Sequence, residues 1–110
     1  MSLSLNEFLP EFKKHLGIYV IQSTYYGACE FLMGYEAGSG QFVLREFHSW
    51  LLLRRRGRPE LYWTHLVLCE IYKDGQLPNI RDLDDEENGK AIDVLLSLLD
   101  EFFAARTSAQ

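Results

Sequence analysis

The chain has little of what small secreted or metal-stapled domains use to hold together. It has two cysteines, Cys29 and Cys69, and three prolines in 110 residues. Both cysteines sit at helical spacing among apolar neighbours, which reads as buried free thiols in a reducing cytoplasm. No CxxC or HExxH occurs. Of His15, His48, His65, Cys29 and Cys69, only His65 and Cys69 stand four apart on one helix, so the sequence predicts no metal. No run of about 18 apolar residues exists, so no membrane span is expected. The N-terminus also lacks the basic and apolar regions of a signal peptide. Phosphate loop, dinucleotide fingerprint and nucleophile elbow are all missing. Glu30 and Glu70 adjoin the two cysteines and disfavour a thiolate at either. No catalytic residues and no cofactor are therefore expected, and the chain reads as no enzyme.

Positive charge is also in short supply, with 11 Lys and Arg against 16 Asp and Glu, a net charge of −5. That balance argues against a nucleic-acid binder and favours a basic protein partner. What the chain does hold is apolar content, 47% of residues, enough for one core in a chain this long. The spacing predicts an all-α, single-domain bundle of four to five helices over residues 4–106, with 1–3 and 107–110 as flexible ends.

The first helix is expected over Ser4–Leu16, opened by a Ser4/Glu7 capping box. Leu5, Phe8, Leu9, Phe12 and Leu16 form its stripe. Pro10 should kink or restart it, and Gly17 should stop it. Residues 17–21 read as an extended linker whose Ile18, Tyr19 and Val20 plug the core. Ser23 or Thr24 caps a second helix to about Ala37, with Gly27 and Gly34 on one face open to a close approach. Gly38-Ser39-Gly40 ends it.

The third helix runs from about Gln41 to Arg56, with Val43, Phe47, Trp50, Leu51 and Arg54 inward. Gly57 stops it. Pro59 opens a fourth helix at its first turn, which carries Leu61, His65, Leu68, Cys69 and Tyr72 and is expected to be the most buried. After a loop over 76–83, Asp82 or Asp84 caps a fifth helix, unless Asn88-Gly89 delays its start. Ile92, Leu95, Leu99 and Phe102 form its inner face. The core is expected around Phe31, Tyr35, Phe47, Trp50, Leu66, Leu95, Leu99 and Phe102.

Two charged stretches are candidate sites. Arg54, Arg55, Arg56 and Arg58 could grip phosphates; the alternative is that they complement a helix C-terminus and pair with the acidic run. That run, Asp82 to Glu87, reads as a solvated helix start or as a docking surface for a basic partner. With an aromatic anchor beside it, the candidate partner-binding residues are Tyr72, Asp74, Asp84, Asp85, Glu86 and Glu87.

Three stretches carry a resemblance: Gly17-Ile18-Tyr19-Val20, Phe31-Leu32-Met33-Gly34-Tyr35-Glu36, and Phe47-His48-Ser49-Trp50-Leu51 followed by Trp63. There the chain resembles small uncharacterised bacterial helical proteins that look like immunity proteins of polymorphic toxin systems. Leu16 stands where a proline is usual in them. The resemblance spans residues 5–72 and implies a cytoplasmic helical protein that neutralises a cognate toxin by direct binding. It carries over no catalytic residue. A homodimer using its aromatic surface, and a nucleic-acid-binding or regulatory protein using Arg54–Arg58, are the rival readings.

Overall fold

The computed structural model describes residues 4–20, 23–40, 42–54, 59–74 and 76–108. Among them are six α-helices, one 3-10 turn and no strand: α1 Leu5–Lys14, α2 Leu16–Tyr19, α3 Tyr25–Ser39, α4 Val43–Arg54, α5 Trp63–Leu68, the 3-10 turn Ile80–Asp82, and α6 Asp85–Ser108. The all-α expectation holds.

The start of α1 follows from its first residues. Glu7 N–H donates to Ser4 Oγ at 3.2 Å, and Ser4 N–H donates to Glu7 Oε1 at 3.0 Å, so two orphan amides are satisfied reciprocally. Leu5, Phe8, Leu9 and Phe12 are buried as the spacing predicts. Pro10 neither restarts nor ends the helix, which continues to Lys14. Its ring lies on the exposed face with Asn6, so the Asn6 carbonyl that loses its helical donor is open to water. The break comes instead at His15, where φ −127° and ψ 44° leave the helical region.

Gly17 is accordingly not a stop, and residues 17–19 are not extended. They belong to the one-turn helix α2. Tyr19 and Val20 do pack on the core, but Ile18 is 73% exposed. In a helical turn successive side chains fan out by about 100°, so three neighbours cannot all face inward.

Thr24 caps α3, its Oγ1 accepting from Gly27 N–H at 3.0 Å. Gly40, at φ 74°, closes it in the left-handed conformation that suits glycine. Gly34 faces open space, with nothing within 4 Å of an added Cβ. No neighbour among the described residues approaches it, and it is a tolerated helical glycine. From α3, Glu36 reaches forward, and Leu44 N–H in the first turn of α4 donates to its Oε2 at 2.6 Å. One carboxylate thus caps the next helix and fixes the corner between the two.

In α4, Leu44, Phe47 and Leu51 are buried, while Val43 and Trp50 are partly buried and Arg54 is exposed. The predicted end at Arg56 and Gly57 falls outside the described residues. The fourth predicted helix is shorter than expected. Pro59 and Glu60 form a turn, and α5 begins only at Trp63. Beyond Leu68, the amide of Cys69 is shared between the carbonyls four and three residues back, those of Glu70 and Ile71 reach back three, and the helix tightens and ends. Its burial is as expected: Trp63, Thr64, Leu66, Val67 and Leu68 are all buried.

The 24-residue α6 is the longest element and packs against α3, α4 and α5. It reaches Ser108, one residue into the stretch expected as a flexible end from 107. Ala91, Ile92, Leu95, Leu96, Leu98, Leu99, Phe102 and Phe103 supply its buried face.

Two ring systems fill the remaining space. Phe8, Phe12, Tyr19, Phe31 and Tyr35 join α1, α2 and α3, with Phe12 and Phe31 stacked at 5.1 Å and Phe8 and Tyr35 at 4.7 Å. Phe47, Trp50, Trp63 and Phe102 join α4, α5 and α6 at 5.4 to 6.0 Å. Of the predicted core, Phe31, Tyr35 and Trp50 are half-buried at its edge.

Candidate functional site

The acidic stretch is a built corner. Asp84 and Glu87 form a second capping box: Glu87 N–H donates to Asp84 Oδ1 at 2.8 Å, and Asp84 N–H donates to Glu87 Oε1 at 3.0 Å. The other Glu87 oxygen, Oε2, accepts from the Tyr72 hydroxyl at 2.7 Å. Tyr72 is held by its own backbone, whose N–H reaches Leu68 O at 2.9 Å just past α5. Asp84 is therefore the cap, not Asp82, which lies in the preceding 3-10 turn.

The protonation of this corner follows from its bonds. Glu87 is held below the ordinary carboxylate value, first by the Asp84 amide and then by the Tyr72 hydroxyl. The same carboxylate pushes the Tyr72 phenol up to about 12, because ionising it would break the bond and place two negative charges together.

Of the six predicted partner-binding residues, the fold brings Tyr72, Asp84 and Glu87 into one hydrogen-bonded unit. Asp85 and Glu86 lie in the same first turn, exposed, with side chains that engage nothing among the described residues. Asp74 takes no part in the unit; its carboxylate accepts from Gln76 N–H at 3.1 Å in its own turn.

Sequence reasoning missed Asn88. It does not delay α6, because its amide donates to Asp84 O at 2.8 Å within the first turn. The residue is 8% exposed and its side chain is fully engaged. Oδ1 accepts from Tyr25 N–H at 2.8 Å, and Nδ2 donates to Leu83 O at 2.9 Å and Asp84 O at 3.0 Å. One carboxamide thus ties the first turn of α3 to that of α6. The signal was present in the spacing: Asn88 precedes Ala91, Ile92 and Leu95 by three, four and seven residues, on the buried stripe.

Beside this tie lies a recess of about 330 Å³ between Thr24, Tyr26, Ile80, Arg81, Leu83 and Asn88. Arg81 covers one wall, its guanidinium 4.9 Å from the Tyr26 ring centre and 2.9 Å from the Tyr26 hydroxyl. A wider groove of about 600 Å³ opens elsewhere, among Ser4, Phe42, Glu46, Phe103 and Arg106. There Arg106 Nη2 pairs with Glu46 Oε2 at 3.3 Å.

The arginine cluster is described only at Arg54; Arg55, Arg56 and Arg58 lie outside the described residues. Arg54 does not pair with the acidic run. It binds Glu70 Oε1 at 3.2 Å and Glu101 Oε2 at 3.1 Å, and stands 5.6 Å from the Trp50 ring centre.

His65 and Cys69 do not assemble a ligand set. His65 Nδ1 lies 3.1 Å from Thr64 Oγ1, and Cys69 N–H donates to the His65 carbonyl at 3.1 Å. No group of three or more His, Cys, Asp or Glu suited to a metal occurs among the described residues. Both cysteines are buried, and neither forms a disulfide. Burial pushes the Cys29 thiol up to about 12, Tyr25 opposing the shift and Glu30 adding to it. No helix among the described residues is long and apolar enough to cross a membrane. No protein-family model matches the chain, and no curated protein or solved structure does so.

Proposed function

We propose that the chain is a non-enzymatic protein-binding module, a cytoplasmic bacterial immunity protein that neutralises a cognate toxin by direct binding. The observation that carries this reading is the fixed acidic corner. Asp84 and Glu87 are locked by the capping box and by Tyr72, while Asp85 and Glu86 project from the same turn into solvent. Carboxylates held in place lose little side-chain freedom on binding, and complementary charge speeds encounter and selects the partner.

The partner that fits is a basic domain, such as a toxin that must itself grip nucleic acid. Inhibition would come from covering its active site, with no chemistry at the interface. Nucleic-acid binding by the arginine cluster is the weaker reading, since Arg54 already serves two carboxylates and an aromatic ring.

The direct test is co-expression with a toxin encoded beside this chain. Protection of the cells is the expected result, and unprotected cells would refute the function. Reversing charge at Asp85 and Glu86 should slow association with the toxin, most at low salt. An unchanged association rate would move the contact surface elsewhere. Self-association through exposed Phe42, Leu53 and Tyr62 would appear in gel filtration as a dimer.

A further inference from the structure

We propose that Asn88–Gly89 is a deamidation site that the folded structure protects, so that loss of the α3–α6 tie is recorded irreversibly in the covalent chain. Three asparagines occur, Asn6, Asn79 and Asn88, and only Asn88 is followed by glycine. Glycine has no side chain to hinder its amide nitrogen, and its backbone is the most permissive. Asn-Gly is therefore the pair in which cyclisation is easiest.

The chemistry needs only water. The Gly89 backbone nitrogen attacks Asn88 Cγ and forms the new C–N bond. The Cγ–Nδ2 bond breaks, and ammonia leaves with the proton given up by the Gly89 amide. Water then opens the cyclic imide at either carbonyl, leaving aspartate or isoaspartate. The balance is carboxamide plus water to carboxylic acid plus ammonia.

In the folded chain three features block the attack. Gly89 lies inside α6, where the backbone is fixed in a conformation that keeps its nitrogen from the carboxamide carbon. All three bonds of the Asn88 side chain hold that carbon away. Asn88 is also only 8% exposed, which limits access of the base that must take up the Gly89 amide proton and of the water that opens the imide. None of these survives unfolding.

The product cannot rebuild the tie. Nδ2 donates to the carbonyls of Leu83 and Asp84. A carboxylate oxygen there has no proton to give and meets two acceptors instead. It would also add a buried negative charge beside Asp84, Asp85, Glu86 and Glu87, which is costly without a partner. Isoaspartate adds a backbone atom inside the first turn of α6. Each prolonged opening therefore removes a molecule from the folded pool, and it does so within the corner assigned above to partner binding. The chemistry does not depend on that assignment.

The test uses the full chain, wild type and Gly89→Ala. Alanine fits at this position, since nothing lies within 4 Å of an added Cβ. Both proteins are incubated in mildly alkaline buffer with and without urea and then peptide-mapped by mass spectrometry, with Asn6 and Asn79 as internal references. In urea, wild-type Asn88 should convert faster than Asn6 and Asn79, and Gly89→Ala should suppress that excess. Without urea, Asn88 should convert at least ~1,000-fold more slowly, because a marginally stable domain opens that seldom. After removal of urea, the deamidated wild-type fraction should be missing from the folded peak in gel filtration, while identically treated Gly89→Ala refolds. Conversion of folded Asn88 at the urea rate would overturn the proposal. So would an Asn88 no faster than Asn6 and Asn79 in urea, or deamidated chains that refold with wild-type stability.

Discussion

The hydroxyl of Tyr72 and the carboxylate of Glu87 meet at 2.7 Å across fifteen residues of sequence, and each shifts the other's titration in the opposite direction. Glu87 lies below its ordinary value of 4.5. Its contribution to stability is therefore fully present above that value and is lost as pH falls through the folded one. Tyr72 is raised from 10 to about 12. Its contribution is complete below pH 10 and fades as pH rises through that interval. Thermal melts of Glu87→Gln should differ from wild type above pH 5 and converge with it in acid. Phenolate absorbance of wild type minus Tyr72→Phe should give a midpoint near 12.

Phe47→Ala should cost about 3–5 kcal/mol in urea unfolding, because its ring is 0% exposed between Trp50, Trp63 and Phe102. Trp50→Ala should cost less, since that ring is half-buried. Leu53→Ser, at a position 80% exposed, should stay within about 0.5 kcal/mol of wild type.

Gly34→Ala should stabilise the fold by about 1 kcal/mol. The position is helical and exposed, and an added Cβ meets nothing within 4 Å, so only the helix-propensity gain remains. Thr24→Ala should act in the other direction by about 1 kcal/mol, through loss of the cap on Gly27 N–H. Both changes are read as shifts in Tm.

A thiol reagent should label neither cysteine rapidly in the folded protein and both in denaturant. Cys29 and Cys69 are each 2% exposed, and the Cys29 thiol is raised to about 12 by burial. Fast labelling of the native protein would contradict that burial.

Helices with their own local grammar were legible in the sequence. Ser4 with Glu7 is a short-range signal, the next caps were narrowed to Ser23 or Thr24 and to Asp82 or Asp84, and the apolar stripes of α1 and α6 repeat at helical spacing. What tertiary contacts decide was not legible. The turn at Pro59 outlasts the proline, and α5 starts at Trp63, where the chain enters the core. Glu36 capping α4 is invisible to a reading confined to one helix. At the candidate site, the carboxylates could be named from the sequence. The partnership of Tyr72 with Glu87, and the carboxamide linking Asn88 to the Tyr25 amide, required two distant segments to be brought together.

At about 1.5 Å per residue, the 24 residues of α6 extend for roughly 36 Å, and α3, α4 and α5 all lean on it. In chain order α6 comes after every one of them. A ribosome making this protein therefore exposes Leu32, Phe47, Trp63 and Leu66 before their common backing has emerged. The nascent chain passes through an interval in which apolar surface of α3, α4 and α5 is uncovered, and slow emergence of α6 prolongs it. Chaperone demand for this domain should accordingly follow how long residues 5–68 wait for residues 85–108 to join them more closely than the stability of the finished protein.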